Sequence, residues 1–341
     1  MEIKEILGRL VTGGSLDQEE ARQVMTMIMS GEVTDAQIGG YLTAMRMKNP
    51  SVEEIAGSAQ AMREKALRVR ASGVVVDTCG TGGDGKGTFN ISTTAAFVVA
   101  GCGVTVAKHG NRSISSKSGS ADLLLALGVK IDLEVAVVEQ CMAEVGVGFL
   151  FAPRHHGAMR HAMGPRKELG YHTLFNLLGP LTNPAGALRQ LIGVFDGRWV
   201  EPMAHTLKRL GSQRAMVVHG FDGLDEITTT GPTFVAELTA EGEVITYPIE
   251  PEQFGLSRSH PDALLGGDAE YNAEMTKRIL GGELGPGRDI VLINAGAALY
   301  VAGVASEIGA GVEMAAKAVD EGKAMERLQS LIRVSNSRLD G

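Results

Sequence analysis

Residues 80–122, GTGGDGKGTFNISTTAAFVVAGCGVTVAKHGNRSISSKSGSAD, decide how the rest of the chain is read. Just upstream, Val74-Val75-Val76-Asp77 is a β-branched run that suits a short buried strand. The stretch from Cys79 to Gly85 then breaks it with glycines, which let a backbone bend closely around a ligand. Such a bend turns N–H groups inward as an anion nest. Asn90-Ile91-Ser92-Thr93-Thr94 precedes the apolar run from Ala95 to Ala100, which predicts a helix with hydroxyls and free N–H groups in its first turn. A helix N-terminus attracts phosphate through those donors and its dipole. Strand, glycine loop and helix, in that order, make a phosphate-binding context.

The loop is not a standard nucleotide signature. Gly80 to Lys86 opens like a P-loop, but Gly87 stands where a metal-binding hydroxyl belongs. Gly80, Gly82 and Gly85 satisfy G-x-G-x-x-G, but Asp84 puts a carboxylate where a pyrophosphate would approach. A second unit follows: the strand-like Val104 to Ala107, the polar loop Lys108-His109-Gly110-Asn111-Arg112, the serine-rich Ser113 to Ser120, and a helix from about Ala121 to Leu127. Successive strand–loop–helix units predict a parallel sheet with its loops on one edge, where ligands bind. Lys108 supplies a point charge, Arg112 a forked donor, Asn111 an amide and the serines hydroxyls. All of this suits a sugar bearing several phosphates. Far downstream, Asp225-Glu226 in HGFDGLDEIT supplies adjacent carboxylates for the metal that such a ligand brings.

GTGGD at 80–84, NIST at 90–93, KHGNRSISSKSGSADLLLALG at 108–128, GPRKELG at 164–170, LFNLLGPLTNP at 174–184 and VHGFDGLDEIT at 218–228 stand in one order along the chain. In these motifs the sequence closely resembles the anthranilate phosphoribosyltransferase family of tryptophan biosynthesis. The resemblance implies transfer of a phosphoribosyl group from phosphoribosyl pyrophosphate to anthranilate, with pyrophosphate released. It implies a donor site of Gly80, Thr81, Gly82, Gly83, Asp84, Thr88, Asn90, Ile91, Ser92, Thr93, Lys108 and Ser120. Asp84 is open to three roles: holding ribose hydroxyls, orienting the loop backbone, or meeting metal through water. For anthranilate the resemblance implies Arg166 at the carboxylate, with Gly80, His109, Asn111, Gly179 and Pro180 around the ring and amine. Arginine suits a carboxylate because its fork makes two parallel bonds. Magnesium, two ions, is implied on Ser92, Asp225 and Glu226. The aromatic amine is unprotonated at neutral pH, so no single essential general base is assigned.

Around this core the sequence predicts α/β architecture: a small all-helical domain at residues 1–68 and a larger domain, residues 74–341, with a central mostly parallel sheet flanked by helices; the broken helical segment at about 170–187 is ambiguous by itself, and the resemblance implies that it joins 1–68 in the small domain. A cleft between them would take anthranilate. Ser15 with Gln18 fits a capping box before a helix at Leu16 to Ser30; Thr34-Asp35 opens the next, and Val52 to Lys65 follows Pro50. Strands are expected at Gly148 to Phe151, Leu191 to Phe195 and Ala215 to Val218, then an antiparallel-looking pair at Phe234 to Leu238 and Val244 to Ile249. Late helices are expected near Tyr271 to Leu280, Ile290 to Ala302 and Val312 to Arg333. The glycines at 82, 83, 85 and 87 predict a loop that orders only with substrate.

Apolar residues are 44% of the 341 and aromatics 4%, so Ala, Val, Leu and Gly must fill the core. Three unpaired-looking cysteines, the charged amphipathic start MEIKEILGRL and the lack of a membrane-length apolar run predict a cytoplasmic protein. A net charge of −8 disfavours nucleic-acid binding. The family resemblance adds a homodimer formed through helical faces. His155, His156 and His161 lack metal-ligand spacing, and Cys79 reads as a packed residue rather than a nucleophile. A pyrimidine nucleoside phosphorylase-like enzyme and a non-catalytic, nucleic-acid-binding relative are the alternatives.

Overall fold

The computed structural model describes residues 2–113 and 117–337. Four helices come first: α1 (Ile3–Val11), α2 (Gln18–Ser30), α3 (Asp35–Lys48) and α4 (Val52–Lys65). Three begin with complete capping boxes, at Asp17/Glu20, Thr34/Gln37 and Ser51/Glu54. The expected Ser15/Gln18 box is therefore displaced by two residues. Asp17 is the better cap, and its carboxylate accepts from the Glu20 N–H at 2.8 Å. Glu54 is fully buried and does more than cap. It accepts from the N–H of Leu16 (2.9 Å) and pairs with Lys48 (2.6 Å), knitting α3, α4 and the start of α2 together.

The larger part then runs β1 (Val75–Gly80), α5 (Ile91–Gly101), β2 (Thr105–Gly110), α6 (Ser120–Ala126), α7 (Val135–Val145), β3 (Val147–Phe151), α8 (Ala152–His155), α9 (Arg160–Leu169), α10 (Leu174–Leu178), β4 (Arg189–Gly193), α11 (Val200–Arg209), β5 (Arg214–Gly220), β6 (Thr233–Leu238), β7 (Val244–Ile249), α12 (Ala269–Leu280), α13 (Pro286–Ala302), α14 (Ile308–Asp320) and α15 (Lys323–Asn336). The seven strands form one sheet in the order β3-β2-β1-β4-β5-β6-β7. β1 to β5 are parallel, and β6 and β7 are antiparallel. The chain starts at β1, moves outward through β2 and β3, and returns to β4 on the other side of β1. That reversal opens a crevice at the carboxyl ends of β1 and β4, the usual ligand position in such sheets.

Side-chain alternation divides the sheet between two cores. Leu191, Met216, Val218 and Val235 face α5, α7 and the late helices. Ile192, Ala215, Val217 and Ala236 face the other way, into one apolar cluster with α11 and the amino-terminal helices. Leu174, Phe175, Leu177, Leu178 and Leu181 of the 170–187 segment join this second cluster. So does Ala162 of α9, which packs on α2 and α3 and was not expected from the sequence.

Candidate active site

Four loops meet at the carboxyl edge of the sheet. β1 runs on to Gly80, three residues past the run that ends at Asp77, because β4 pairs with it as far as Gly80↔Gly193. The turn beyond is held from both sides. Thr81 donates its N–H to the Gly193 carbonyl (2.9 Å), and its hydroxyl accepts from the Phe195 N–H (2.9 Å). Gly82 donates to Asp225 Oδ2 (2.8 Å). Gly82, Gly83, Gly85 and Gly87 all have positive φ, so the glycine composition is a backbone requirement here. Thr88 lies just beyond, bridged to Leu265.

Asp225 and Glu226, expected from their motif, stand over this turn. Asp225 is half-buried, and its carboxyl is pushed well above the usual range by desolvation, then by the charges of Asp84 and Glu226. Glu226 is raised to about 7, again chiefly by burial, against the opposing attraction of Lys108. Its Oε1 accepts from the Ser92 N–H at 3.1 Å, in the first turn of α5. The Asp225 N–H approaches Asp84 Oδ2 at 3.4 Å. Three carboxylates thus crowd one spot, with Lys108 as the cation that offsets them. Lys108 points inward: its ammonium bonds the Thr78 carbonyl and lies 3.4 Å from Ser92 Oγ. Among the described residues no three His, Cys, Asp or Glu side chains form a closed metal cage. A hard divalent cation needs no such cage, because one or two carboxylates suffice when waters and substrate phosphates complete the shell. The surplus negative charge and the nearby Ser92 hydroxyl fit that requirement.

Other expected residues act as braces. Asn90 donates to the Ser118 carbonyl (3.1 Å), and its Oδ1 accepts from Asn272 (3.0 Å), tying the first loop to the second and to α12. Ile91 and Thr93 are buried in the first turn of α5. Ser120 opens α6 and donates to the Asn111 carbonyl at 3.2 Å. Residues 114–116 of the serine-rich loop, with Ser115 and Ser116, lie outside the described residues.

Arg166 on α9 is half-buried, its guanidinium carbon 6.0 Å from the Phe175 ring centre. Among the described residues its guanidinium has no hydrogen-bond or ion-pair partner. Burial pulls its pKa down, so a carboxylate arriving there would meet a poorly solvated cation. His109 is buried against the Gly179 backbone and stays neutral, chiefly through burial. Gly179 and Pro180 form the turn after α10, and the Pro180 carbonyl is fixed by Gln190 (2.8 Å).

Sequence reasoning missed two buried braces. Asp77 accepts from the His109 N–H (3.2 Å) and from Asn183 Nδ2 (2.8 Å), and the same Asn183 amide donates to the Ala107 carbonyl (2.8 Å). The signal was an acid closing a run of valines. The excluded histidines have separate surroundings: His155 bonds the Leu67 carbonyl, His156 packs on His109, and His161 lies against Gly31. Burial pushes the Cys79 thiol well up, which leaves it protonated and packed.

Two family models match the chain: the glycosyl transferase family helical bundle domain over residues 4–66 and the glycosyl transferase family a/b domain over residues 72–325. The chain is 56% identical over 334 residues to the anthranilate phosphoribosyltransferase of Paramagnetospirillum magneticum, covering 98% of this chain and 96% of the relative. It is 54% identical to that of Azospirillum brasilense over 338 residues, covering 99% and 94%. The crystal structure of the Thermus thermophilus anthranilate phosphoribosyltransferase superposes with a TM-score of 0.92 at 44% identity, covering 97% of this chain and 99% of that one. The Saccharomyces cerevisiae enzyme in complex with phosphoribosyl pyrophosphate and Mg gives 0.90 at 27% identity, covering 98% of each. By fold, motif and identity over nearly its whole length, the chain belongs to the anthranilate phosphoribosyltransferases, within the glycosyl transferase family.

Proposed function

We propose that this chain moves the 5-phosphoribosyl group of phosphoribosyl pyrophosphate onto the amine of anthranilate by using the converged loops as a charge-stabilising cradle. In that step the C1–O bond to pyrophosphate breaks, a C1–N bond forms, and the amine gives up a proton. The reacting carbon becomes cation-like as the diphosphate leaves, so positioning and leaving-group stabilisation carry the catalysis. The observation that supports this most is the crowding of Asp84, Asp225 and Glu226 around Lys108, Ser92 and the N–H-rich turn.

Gly80, Thr81, Gly82 and Gly83 line the space for the donor's phosphates, with the Thr81 N–H held by the Gly193 carbonyl and the Gly82 N–H by Asp225 Oδ2. Thr88, Asn90, Ile91, Ser92 and Thr93 bring the start of α5 to them, with Lys108 beneath and Ser120 beside. Asp84 keeps the turn in place through its contact with Asp225. Ser92, Asp225 and Glu226 hold magnesium, two ions with the diphosphate; when bound, the metal neutralises the departing oxygens. Arg166 takes the anthranilate carboxylate, while His109, Asn111, Gly80, Gly179 and Pro180 shape the space for ring and amine. No side chain is needed as an essential base, since the amine lone pair is already free.

Residues 1–68 with about 170–187 form the small helical unit, and the rest from 74 onward the large one. The acceptor sits between them, where approach of the two excludes water from the cation-like carbon. The protein works in the cytoplasm as a homodimer joined through the helical faces. Val11 on α1 and Met47 on α3, 72% and 80% exposed, support that assembly. Among the described residues no helix is long and apolar enough to cross a membrane.

The test is direct. Anthranilate fluorescence should disappear when the protein is mixed with phosphoribosyl pyrophosphate and magnesium, and should persist when a chelator is added. Consumption that ignores the chelator would remove the metal from the scheme; no consumption at all would remove the scheme.

A further inference from the structure

His172 plays no part in the cradle described above, yet it stands between its two halves. It follows Gly170, which ends α9 with positive φ, and precedes the Thr173 cap of α10. Its imidazole packs on the Phe195 ring, with centroids 4.3 Å apart and planes tilted by 57°. On its other side it meets the glycine turn: a Cβ built on Gly83 would lie 2.4 Å from His172 Nε2 and 2.9 Å from Cε1. Neither value is a tolerable carbon contact, so the ring occupies the space a side chain at 83 would need.

The surroundings make this a fixed wedge. Phe195 carries the ring on one face and, through its N–H, holds the Thr81 hydroxyl at 2.9 Å. The His172 carbonyl accepts from Arg46 of α3, and the Arg46 guanidinium lies 4.9 Å from the centre of the Tyr171 ring. Tyr171 in turn shares a 2.6 Å hydrogen bond with Thr43. The turn is therefore pinned at Thr81 by the sheet side and backed at Gly83 by a residue anchored to the helical side. His172 is also close enough to Arg166 and Arg46 for both charges to disfavour its protonation, after the larger effect of burial. Arg166 and His172 sit six residues apart on one strap, α9 and its exit.

We propose that His172 is a positioning residue that couples the acceptor site to the phosphate turn. The strap carries the acceptor-binding arginine at one end and the wedge behind Gly83 at the other. An anthranilate carboxylate that draws Arg166 into place also sets the wedge, and the wedge sets the N–H groups of the turn for the diphosphate. Coupling of this kind is reciprocal: a bound donor improves acceptor affinity by the same factor. The inference rests on the assignment of Arg166 to the acceptor and of the glycine turn to the donor.

The experiment measures donor affinity with and without benzoate, an acceptor analogue that keeps the carboxylate and lacks the amine. In the unmodified protein with magnesium, benzoate should tighten phosphoribosyl pyrophosphate binding by about 5-fold or more, the lower end of ordinary coupling. In His172→Ala the factor should fall to about 1, and the donor constant with benzoate and the acceptor KM at saturating donor should each rise by about the lost factor, roughly 5-fold, while donor affinity without benzoate changes less than about 2-fold. His172→Phe, which keeps a ring between Phe195 and Gly83, should recover most of the loss. A His172→Ala protein that keeps the benzoate effect would overturn the inference. So would a loss of donor affinity without benzoate as large as the loss with it, together with a lowered melting temperature, the mark of a merely structural role. Lack of turnover in the unmodified protein would instead strike at the assignment of function.

Discussion

Gly193 has no side chain because the backbone of Asp225 fills the space beside it. A Cβ at 193 would lie 1.5 Å from the Asp225 carbonyl oxygen, and one at the adjacent Gly80 would lie 2.6 Å from Asp225 Oδ2. The two glycines face each other across β1 and β4 and leave a notch through which the acidic loop reaches the phosphate turn. Gly193→Ala should therefore shift Asp225, lowering kcat/KM at least about 100-fold while circular dichroism stays native. Ordinary kinetics in that variant would show the notch to be dispensable. Arg166 makes the complementary prediction on the acceptor side. Arg166→Ala should raise the anthranilate KM by roughly 10- to 100-fold, the scale of a lost charge-assisted hydrogen-bonded pair, with little change in the donor KM. Equal changes in both would remove the assignment. Asp225 was legible from its motif. Gly193 was not, because LIGVF carries no sign that a loop some thirty residues later will lie on it.

At the scale of elements, strands were legible from β-branched runs, and their ends were not. β1 and β2 each continue into residues that read as loop, to Gly80 and Gly110, because neighbouring parallel strands supply the hydrogen bonds that the residues themselves do not favour. SLDQEE before α2 contains two overlapping capping patterns, and the structure uses the later one. α9 escaped notice because Gly164 and Pro165 interrupt its pattern; Pro165 nonetheless stands buried inside the helix. The glycine turn is the element on which function depends. Its far end is tied down, with Gly266 donating to the Gly87 carbonyl (2.9 Å) and Phe89 to the Leu264 carbonyl (3.2 Å). Between the ends, Gly82 and Lys86 bond only to carboxylates, at 2.8 and 3.1 Å. Amides of residues 82–88 should then exchange with deuterium rapidly in the free protein and be protected when donor and magnesium are added, by roughly 10-fold or more. Equal protection in both states would mean that the turn is already rigid.

Across the whole molecule, the helical bundle does not close a core of its own. Its apolar cluster runs through α11 onto one face of the sheet, and that continuity was invisible in a sequence whose helices and strands looked like separate sets. The junction is also where histidines are buried without charge. His155 bonds Leu67 in both directions, its N–H-bearing ring to the Leu67 carbonyl and its carbonyl from the Leu67 N–H, at the exit of the bundle. Next to it the His156 and His109 rings pack at 5.1 Å with their planes tilted by 57°, each with a buried Nε2 that has no partner among the described residues. Burial, then the charge of His155, lowers the His156 pKa from 6.5 to about 4. Below pH 6.5 the unfolded chain thus binds a proton that the folded one refuses. The stabilisation from this group is complete above 6.5 and is lost as pH falls through about 4, with an upper bound of about 3 kcal/mol. Replacing His156 with a neutral side chain should flatten that acid limb. Urea unfolding midpoints of the unmodified protein should fall more steeply between pH 7 and 4.5 than those of His156→Gln, even where the variant starts lower at pH 7 because packing on His109 is lost. Parallel curves would place the acid sensitivity elsewhere and leave the buried imidazole pair without a role in holding bundle and sheet together.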